Sequence, residues 1–111
     1  MNGESYDTLK WYWVRTKPRD ETRVIRYFNL AGYSFLLPTF WKTSCAGKKK
    51  EKKPLFPGYV FIQLVLSEAY HKIRYTRGVS GFVRFGNMPT SVPEEIIEIL
   101  KQKMRGDGTI K

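Results

Sequence analysis

The run from residue 54 to residue 62, Pro-Leu-Phe-Pro-Gly-Tyr-Val-Phe-Ile, constrains the fold more than any other part of this sequence. Its second half is aromatic and β-branched, which favours a strand, and the Pro-Gly pair before it is typical of a turn. On a strand, Tyr59 and Phe61 share one face, and the aliphatic residue that follows each of them lies on the other. Both faces are apolar, so one can pack on helices while the other, with Tyr59 and Phe61, stays exposed as a binding patch. A strand buried on both faces is the alternative.

The size and charge of the chain narrow its class. It has 111 residues, which fits one small domain. Its formal net charge is +10, from 20 Lys and Arg residues against 10 Asp and Glu residues, and this excess favours an anionic partner. No apolar run is long enough to cross a membrane, and the polar N-terminus is unlike a signal peptide. The single cysteine, Cys45, cannot form an internal disulfide, which is typical of a cytoplasmic protein. From these features together we expect a cytoplasmic protein with no membrane partner.

The residues that could carry chemistry form no recognisable catalytic site. The one histidine, His71, has no Cys or His partner at the spacing of metal ligands. No phosphate-binding glycine loop and no nucleophile elbow occurs. Cys45 stands beside a segment rich in Gly and Lys, without the His and Asp context of a nucleophile. The sequence therefore predicts a binding protein that is not an enzyme and needs no cofactor or metal.

The order of predicted elements is β-α-β-β-α-β-α. Strands are expected at residues 9–16, 33–41 (interrupted near Pro38), 59–66 and 79–85. Helices are expected from Pro18 to Gly32, from Ser67 to Tyr75, and from a capping box at Ser91 and Glu94 or a first turn at Pro93. This order predicts an α+β, ferredoxin-like fold: a mostly antiparallel four-stranded sheet flanked by helices. We expect residues 1–8 to be a disordered leader, residues 9–105 the domain, and residues 106–111 the start of a linker.

In the predicted helices, the apolar residues share one face, and the basic residues of the first helix share another. Val24, Ile25, Phe28 and Ala31 recur at helical spacing and should form the buried stripe of the first helix, and the last helix should bury Ile96, Ile97 and Leu100. The basic residues of the first helix, Arg19, Arg23 and Arg26, share another face. Lys17, Arg19 and Arg23 could join Arg77, from a distant turn, in one basic patch with Tyr27 as a stacking ring. Ordinary solvation of a charged face is the alternative.

Residues 43–53 are a polar segment whose lysines follow one another closely. The run contains Lys48, Lys49, Lys50, Lys52 and Lys53. A segment with this charge cannot pack into a core, so we expect a mobile loop or hairpin end that projects from the sheet. Its contribution to nucleic-acid binding should be electrostatic and should fade as salt rises.

In order and spacing, several short motifs resemble the NusG family over nearly the whole chain. They are Trp11-Tyr12, Gly32-Tyr33, Leu37-Pro38, the run from residue 54 to residue 61, Thr76-Arg77-Gly78-Val79, Phe82-Val83-Arg84-Phe85-Gly86, Pro89 and Val92-Pro93. The Thr-Arg-Gly-Val-Ser and Phe-Val-Arg-Phe-Gly runs are most similar to RfaH and other specialised NusG paralogs. The resemblance implies the N-terminal (NGN) domain of a transcription elongation or antitermination factor, followed in the family by a linker and a KOW domain.

The resemblance also implies partners and contact residues. The partners are RNA polymerase, through the clamp helices of its largest subunit and through its second-largest subunit, and the non-template or upstream DNA. The clamp-helix patch would comprise Phe56, Tyr59, Phe61, Phe82 and Phe85. Lys17, Arg23 and Arg77 match basic positions that RfaH-like proteins use on DNA, and Tyr70 and His71 stand at the second polymerase contact. Such a factor holds the polymerase in a processive state by binding energy alone.

The sequence departs from RfaH at two of these contacts. Pro18 and Tyr27 replace a basic residue and a histidine that help to read DNA, and Ala69-Tyr70-His71 replaces a His-Thr-Thr contact. The alternative function is a single-stranded RNA-binding module of the RRM type, whose strand aromatics stack on bases. Against it, Pro57, Val60 and Leu64 stand where the RRM motif has a basic, a small and an aromatic residue.

Overall fold

The computed structural model describes residues 6–43, 47, 50–105 and 109–110. Within them the strands are β1 (Leu9–Thr16), β2 (Ser34–Leu36), β3 (Thr39–Thr43), β4 (Lys50–Pro54), β5 (Tyr59–Val65), β6 (Val79–Phe82), β7 (Arg84–Phe85), β8 (Met88–Pro89) and β9 (Ser91–Val92). The helices are α1 (Glu21–Ala31), α2 (Leu66–Arg74) and α3 (Glu94–Lys103).

The main sheet has the strand order β2-β5-β1-β6, and the short strand β9 also pairs with β1. All of these pairs are antiparallel. The units β1-α1-β2 and β5-α2-β6 form the two halves of a split β-α-β arrangement, with the first strands of the halves side by side at the centre. The expected α+β, ferredoxin-like fold is confirmed, with β9 as an additional fifth strand.

One face of the sheet is covered by α1 and α2. Val24 and Phe28 of α1 and Ile73 of α2 are buried against the even-numbered side chains of β1 and β5, among them Tyr12 and Ile62. Gly32 ends α1 in the left-handed conformation with φ of 88°, as its position in the sequence predicted. The predicted stripe holds for the middle of the helix but not for Ala31, which is exposed at its last turn.

The opposite face carries a smaller core under α3. Ile97 is fully buried against Trp11 and Phe61, and Leu100 packs partly against the same cluster. Ile96, which was predicted to be buried with Ile97, is about half exposed. Since α3 covers only part of this face, the remainder of the sheet there is available to other contacts.

Several element boundaries differ from the prediction because of tertiary pairing. The strand predicted at residues 33–41 is interrupted at Pro38 as expected, but its two parts have different partners: β2 pairs with β5, and β3 pairs with β4 in a separate two-stranded sheet. The strand predicted at 79–85 is likewise divided: Phe82 ends β6, and β7 pairs with β8 in a small hairpin. Helix α1 begins three residues later than predicted, and neither α2 nor α3 has a side-chain cap.

The ends of the described chain are attached to the domain. The backbone N–H of Ser67 donates to the carbonyl of Tyr6 at 2.8 Å, and Tyr6 packs against the core although it lies in the predicted leader. Thr109 is buried and bridges to Thr39, and the N–H of Ile110 donates to the Thr39 carbonyl at 2.7 Å. Packing therefore extends beyond residue 106, where the linker was expected to begin.

Candidate binding site

An apolar groove of about 490 Å³ lies on the partly covered face, between α3 and the β7–β8 hairpin. Trp13 and Phe61 form its floor, and their rings stack at 5.1 Å between centroids with an interplanar angle of 23°. Phe56 stands edge-on to both rings, at 5.7 Å from Trp13 and 6.1 Å from Phe61. The remaining lining residues are Val83, Arg84, Phe85, Thr90, Ser91, Val92, Pro93, Ile96 and Leu100. An open apolar groove of this kind is typical of a binding site.

Three of the predicted patch residues, Phe56, Phe61 and Phe85, line this groove, and Tyr59 lies beside it. Phe85 is 87% exposed on β7, and Tyr59 is 36% exposed with its ring 5.4 Å from that of Trp13. The expectation that Phe61 is also exposed is wrong, because it is only 2% exposed beneath α3 and the neighbouring rings. Phe61 therefore supports the groove from below, and Phe85 and Phe56 present apolar surface to it.

Phe82 does not belong to the groove. It is buried on the opposite face of the sheet, edge-on to Tyr12 at 6.1 Å and stacked on Tyr70 at 5.3 Å. The prediction that grouped it with Phe85 in the clamp-helix patch came from the family resemblance and not from the strand pattern, since residues three apart on one strand face opposite sides of a sheet. The break at Val83, whose N–H donates to the Trp13 carbonyl at 2.9 Å, separates the strands that carry the two phenylalanines.

Sequence reasoning missed Trp13, Ile96 and Leu100 as groove residues. Because side chains alternate along a strand, Trp13 shares a face with Trp11, and the pairing of β1 with β5 sets Trp13 opposite Phe61. No comparable signal existed for Ile96, since it satisfies the same helical periodicity as the buried Ile97.

A second hollow, here called the helix cleft, brings basic residues of α1 to the turn before β6. Arg23, Arg26, Tyr27 and Arg77 line it, and it has a volume of about 330 Å³. The turn is held to the start of α1 by the Lys17 N–H, which donates to the Gly78 carbonyl at 2.8 Å. The predicted proximity of Arg23 and Arg77 is confirmed, and Arg26 is an additional member.

Arg19 points to a different surface. It precedes α1 and has a left-handed backbone with φ of 64°, so it does not continue the helical row of Arg23 and Arg26. It lines a hollow between α1 and the β3–β4 hairpin, together with Lys42 and Lys53. The prediction that it belongs to the same face as Arg23 is wrong because the helix begins at Glu21.

The predicted lysine loop is largely an arm of the β3–β4 hairpin. Lys50, Lys52 and Lys53 lie in β4, paired with β3, and all three are exposed. The Lys52 ammonium lies 5.6 Å from the centroid of the Trp41 ring, and Lys53 forms an exposed ion pair with Glu51 at 3.7 Å. A hairpin was one of the two forms expected; Lys48 and Lys49 lie outside the described residues, as does Cys45.

The residues of the predicted second polymerase contact differ in accessibility. Tyr70 is half-buried because its ring stacks on Phe82. His71 is exposed on α2, and its ring lies parallel to that of Tyr75 at 6.2 Å. A partner approaching α2 would therefore reach the imidazole of His71 and only one edge of Tyr70.

The described residues contain neither a candidate metal site nor a candidate membrane-spanning helix. Among the residues that the structure describes, no group of three or more His, Cys, Asp or Glu side chains could hold a metal ion. In the same residues no helix is long and apolar enough to cross a membrane. The described residues do present an apolar groove on one face of the sheet and an arginine-lined cleft beside α1, in a small α+β domain.

Comparison with known proteins agrees with that class. Residues 9–101 match the family described as "Transcription termination factor nusG". The chain is 35% identical, over 85% of its length and 61% of the relative's, to "Transcription termination/antitermination protein NusG" of Thermus thermophilus. It is 32% identical to the protein of the same name from Staphylococcus epidermidis, over 96% of its length and 68% of the relative's. The chain belongs to the NusG family.

A solved structure supports the same assignment at the level of the fold. The structure titled "Domain interaction in Thermotoga maritima NusG" aligns with a TM-score of 0.60 and 28% identity, over 82% of this chain and 54% of that one. The chain thus spans about three fifths of the Thermus relative and about half of the Thermotoga structure.

Proposed function

We propose that this chain is the polymerase-binding domain of a transcription elongation and antitermination factor. The observation that carries the proposal is the apolar groove, whose aromatic floor is rigid and whose rim residue Phe85 is almost fully solvated. A solvated phenylalanine beside a preformed apolar groove costs free energy unless a partner covers it. Helices commonly bind in such grooves by an apolar stripe, and the clamp helices of the largest polymerase subunit are the partner implied by the resemblance.

The helix cleft is proposed as a contact to the non-template or upstream DNA strand. Arg23, Arg26 and Arg77 concentrate positive charge around the half-exposed ring of Tyr27, which suits phosphates with an unstacked base between them. The exposed lysines of β4 would add sequence-independent attraction to DNA. His71, with Tyr70 beside it, is proposed to contact the second-largest subunit.

Together these contacts would join the polymerase clamp to the opposite side of the DNA channel. Binding energy that favours the closed polymerase would shift it away from paused states without any chemical step. In the longer family members we propose that a KOW domain follows this domain. A factor of this kind acts in the cytoplasm, associated with the nucleoid through the polymerase.

The experiment is capture of purified bacterial RNA polymerase on the immobilised chain after nuclease treatment. Phe85→Ser should weaken capture at least about tenfold, since buried aromatic anchors dominate interface energies. Leu30→Ser is the matched control, because Leu30 is an equally solvated apolar residue on α1, outside the groove. Equal capture by the parent and both variants would contradict the groove as the polymerase site.

The RRM alternative is less well supported by the geometry. Base stacking on the sheet would require both aromatics of β5 to be accessible on one face. Phe61 is instead buried under α3, and only Tyr59 is partly open. A nuclease-resistant polymerase complex distinguishes the two functions, because an RRM would reach polymerase only through RNA.

A further inference from the structure

A third hollow, here called the edge cleft, lies at the β6 end of the main sheet. Three arginines from three elements converge on it: Arg15 of β1, Arg74 at the end of α2 and Arg84 of β7. Ser80, Gly81 and Tyr70 complete most of the wall, and the volume is about 370 Å³. Arg74 lies close to Gly81, since its Nε is 3.8 Å from the position that a Cβ would take there.

The charge of the edge cleft is not neutralised within the described part of the chain. None of its three guanidinium groups forms a salt bridge to a carboxylate there. Like charges that converge on one concave surface raise each other's electrostatic energy, and a bound anion relieves it. The planar guanidinium group binds two oxygens of a carboxylate or a phosphate through paired N–H donors, so the cleft suits either anion.

An exposed aromatic ring that contacts Arg74 favours the phosphate over the carboxylate. Tyr75 follows Arg74 directly and is 73% exposed. The Arg74 guanidinium carbon lies 5.2 Å from the centroid of the Tyr75 ring, so the Arg74 side chain both contacts the ring and lines the cleft. Acidic peptides gain nothing specific from such a ring, whereas each unpaired base of a nucleic acid offers a face that stacks on it.

We propose that the edge cleft holds a backbone phosphate of a single-stranded nucleic acid whose neighbouring base stacks on Tyr75. The turn from residue 75 to residue 78 lies between two arginine-lined clefts, with Arg74 in one and Arg77 in the other. A strand bound in the edge cleft could therefore cross the turn and enter the helix cleft. This continuation rests on the proposed DNA contact, but the edge cleft and Tyr75 stand on their own geometry.

The test is fluorescence anisotropy of a short labelled oligothymidylate with the full chain at low salt, in the absence of polymerase. Arg15→Gln and Arg74→Gln should each weaken binding at least about fivefold and reduce the salt slope by about 0.7, as for the loss of one phosphate contact. Tyr75→Ala should weaken binding about fivefold or more with an unchanged slope, because it removes stacking and no charge. Arg74→Lys should keep the slope while losing affinity, because it keeps the charge without the fork.

Lys103→Gln is the matched control, since it removes the same charge from an exposed position on α3. Thermal melts of all variants separate unfolding from loss of contact. The proposal would be overturned if the arginine variants bind the oligonucleotide no more weakly than Lys103→Gln does. It would also be overturned if Tyr75→Ala binds as tightly as the parent. Binding of a glutamate peptide to the parent through Arg74 would then assign the cleft to acidic peptides. If only Arg23→Gln and Arg77→Gln weaken binding of the oligonucleotide, the edge cleft is not a binding site, and the helix cleft alone remains the proposed DNA contact. Polymerase capture is measured separately.

Discussion

Phe61 and Phe85 show how two phenylalanines of one surface take different roles. Phe61 lies beneath Trp13, Phe56 and α3, while Phe85 extends into solvent from a two-residue strand. Sequence periodicity placed Tyr59 and Phe61 on one face correctly, but it could not show how far α3 would extend over that face. Exposure at a given position depends on the covering element, which is distant in sequence.

Phe61→Ala should destabilise the domain by about 3–5 kcal/mol, because it removes a buried ring and leaves a cavity under Ile97 and Trp11. Urea unfolding followed by tryptophan fluorescence measures the change. Phe85→Ala is the control and should alter the free energy of unfolding by less than about 0.5 kcal/mol, as at an exposed site. Similar losses for the two variants would mean that Phe85 also packs within the domain.

Gly78 joins the turn before β6 to the start of α1 at close range. Its φ is +95°, and a Cβ there would stand 2.9 Å from a methyl group of Val24. Gly78→Ala should therefore cost the left-handed penalty of about 1–2 kcal/mol and a further steric cost. Gly86→Ala isolates the first component, since Gly86 also has positive φ but nothing within 4 Å of its Cβ position. Equal melting temperatures for the two variants would contradict the close contact.

At the scale of elements, local patterns predicted the strands and helices, and long-range pairing decided where they divide. The residue pattern of β1 and the apolar stripe of α1 are local, so the strand and the buried face of the helix could both be predicted. The interruption near Pro38 was also predicted, but the different partners of β2 and β3 were not, because both are equally good strand sequences. The clefts lay beyond prediction for the same reason: Arg15, Arg74 and Arg84 meet only through the register of β1 with β6.

A single carboxylate connects α1 to the turn before β5. The N–H of Gly58 donates to Glu21 Oε2 at 2.7 Å in a partly buried position. Glu21→Ala should cost about 1–3 kcal/mol of unfolding free energy, because it leaves that N–H without its charged acceptor. Glu94→Ala, also in the first turn of a helix and exposed, is the control and should cost much less. Chemical denaturation of the pair gives the comparison.

The exposed lysines of β4 should act through charge alone. Replacing Lys50, Lys52 and Lys53 with serine should weaken binding to duplex DNA and reduce its salt dependence, because fewer counterions are released. The melting temperature should fall only slightly, because the three lysines are exposed and both the Lys52 contact to Trp41 and the Lys53–Glu51 ion pair lie at the surface. Salt titrations of DNA affinity and a thermal melt measure both. A large fall in melting temperature would show that the hairpin depends on these side chains for packing.

At the scale of the whole molecule, hydrogen bonds near residue 110 join the last described residues to the rest of the domain. The N–H of Arg105 donates to the Thr109 carbonyl at 2.7 Å, and Ile110 is bonded to Thr39. A chain ending at residue 105 should therefore lose about 1–2 kcal/mol of unfolding free energy relative to the full chain. Urea midpoints of the two proteins test this, and identical midpoints would place the boundary at residue 105, as the sequence suggested.

The central position of β1 has a consequence for synthesis. Leu9–Thr16 emerges from the ribosome first, but its partners are Tyr59–Val65 on one side and Val79–Phe82 with Ser91–Val92 on the other. One edge of β1 therefore stays unpaired until β5 has been translated, and the other edge until β6 and β9 have been translated. Pairing over such separations slows folding and leaves Trp11 and Trp13 open to wrong contacts meanwhile. The sheet can therefore be completed only after Ser91–Val92 has been translated, and nascent-chain stalling before and after residue 92 would bracket that step.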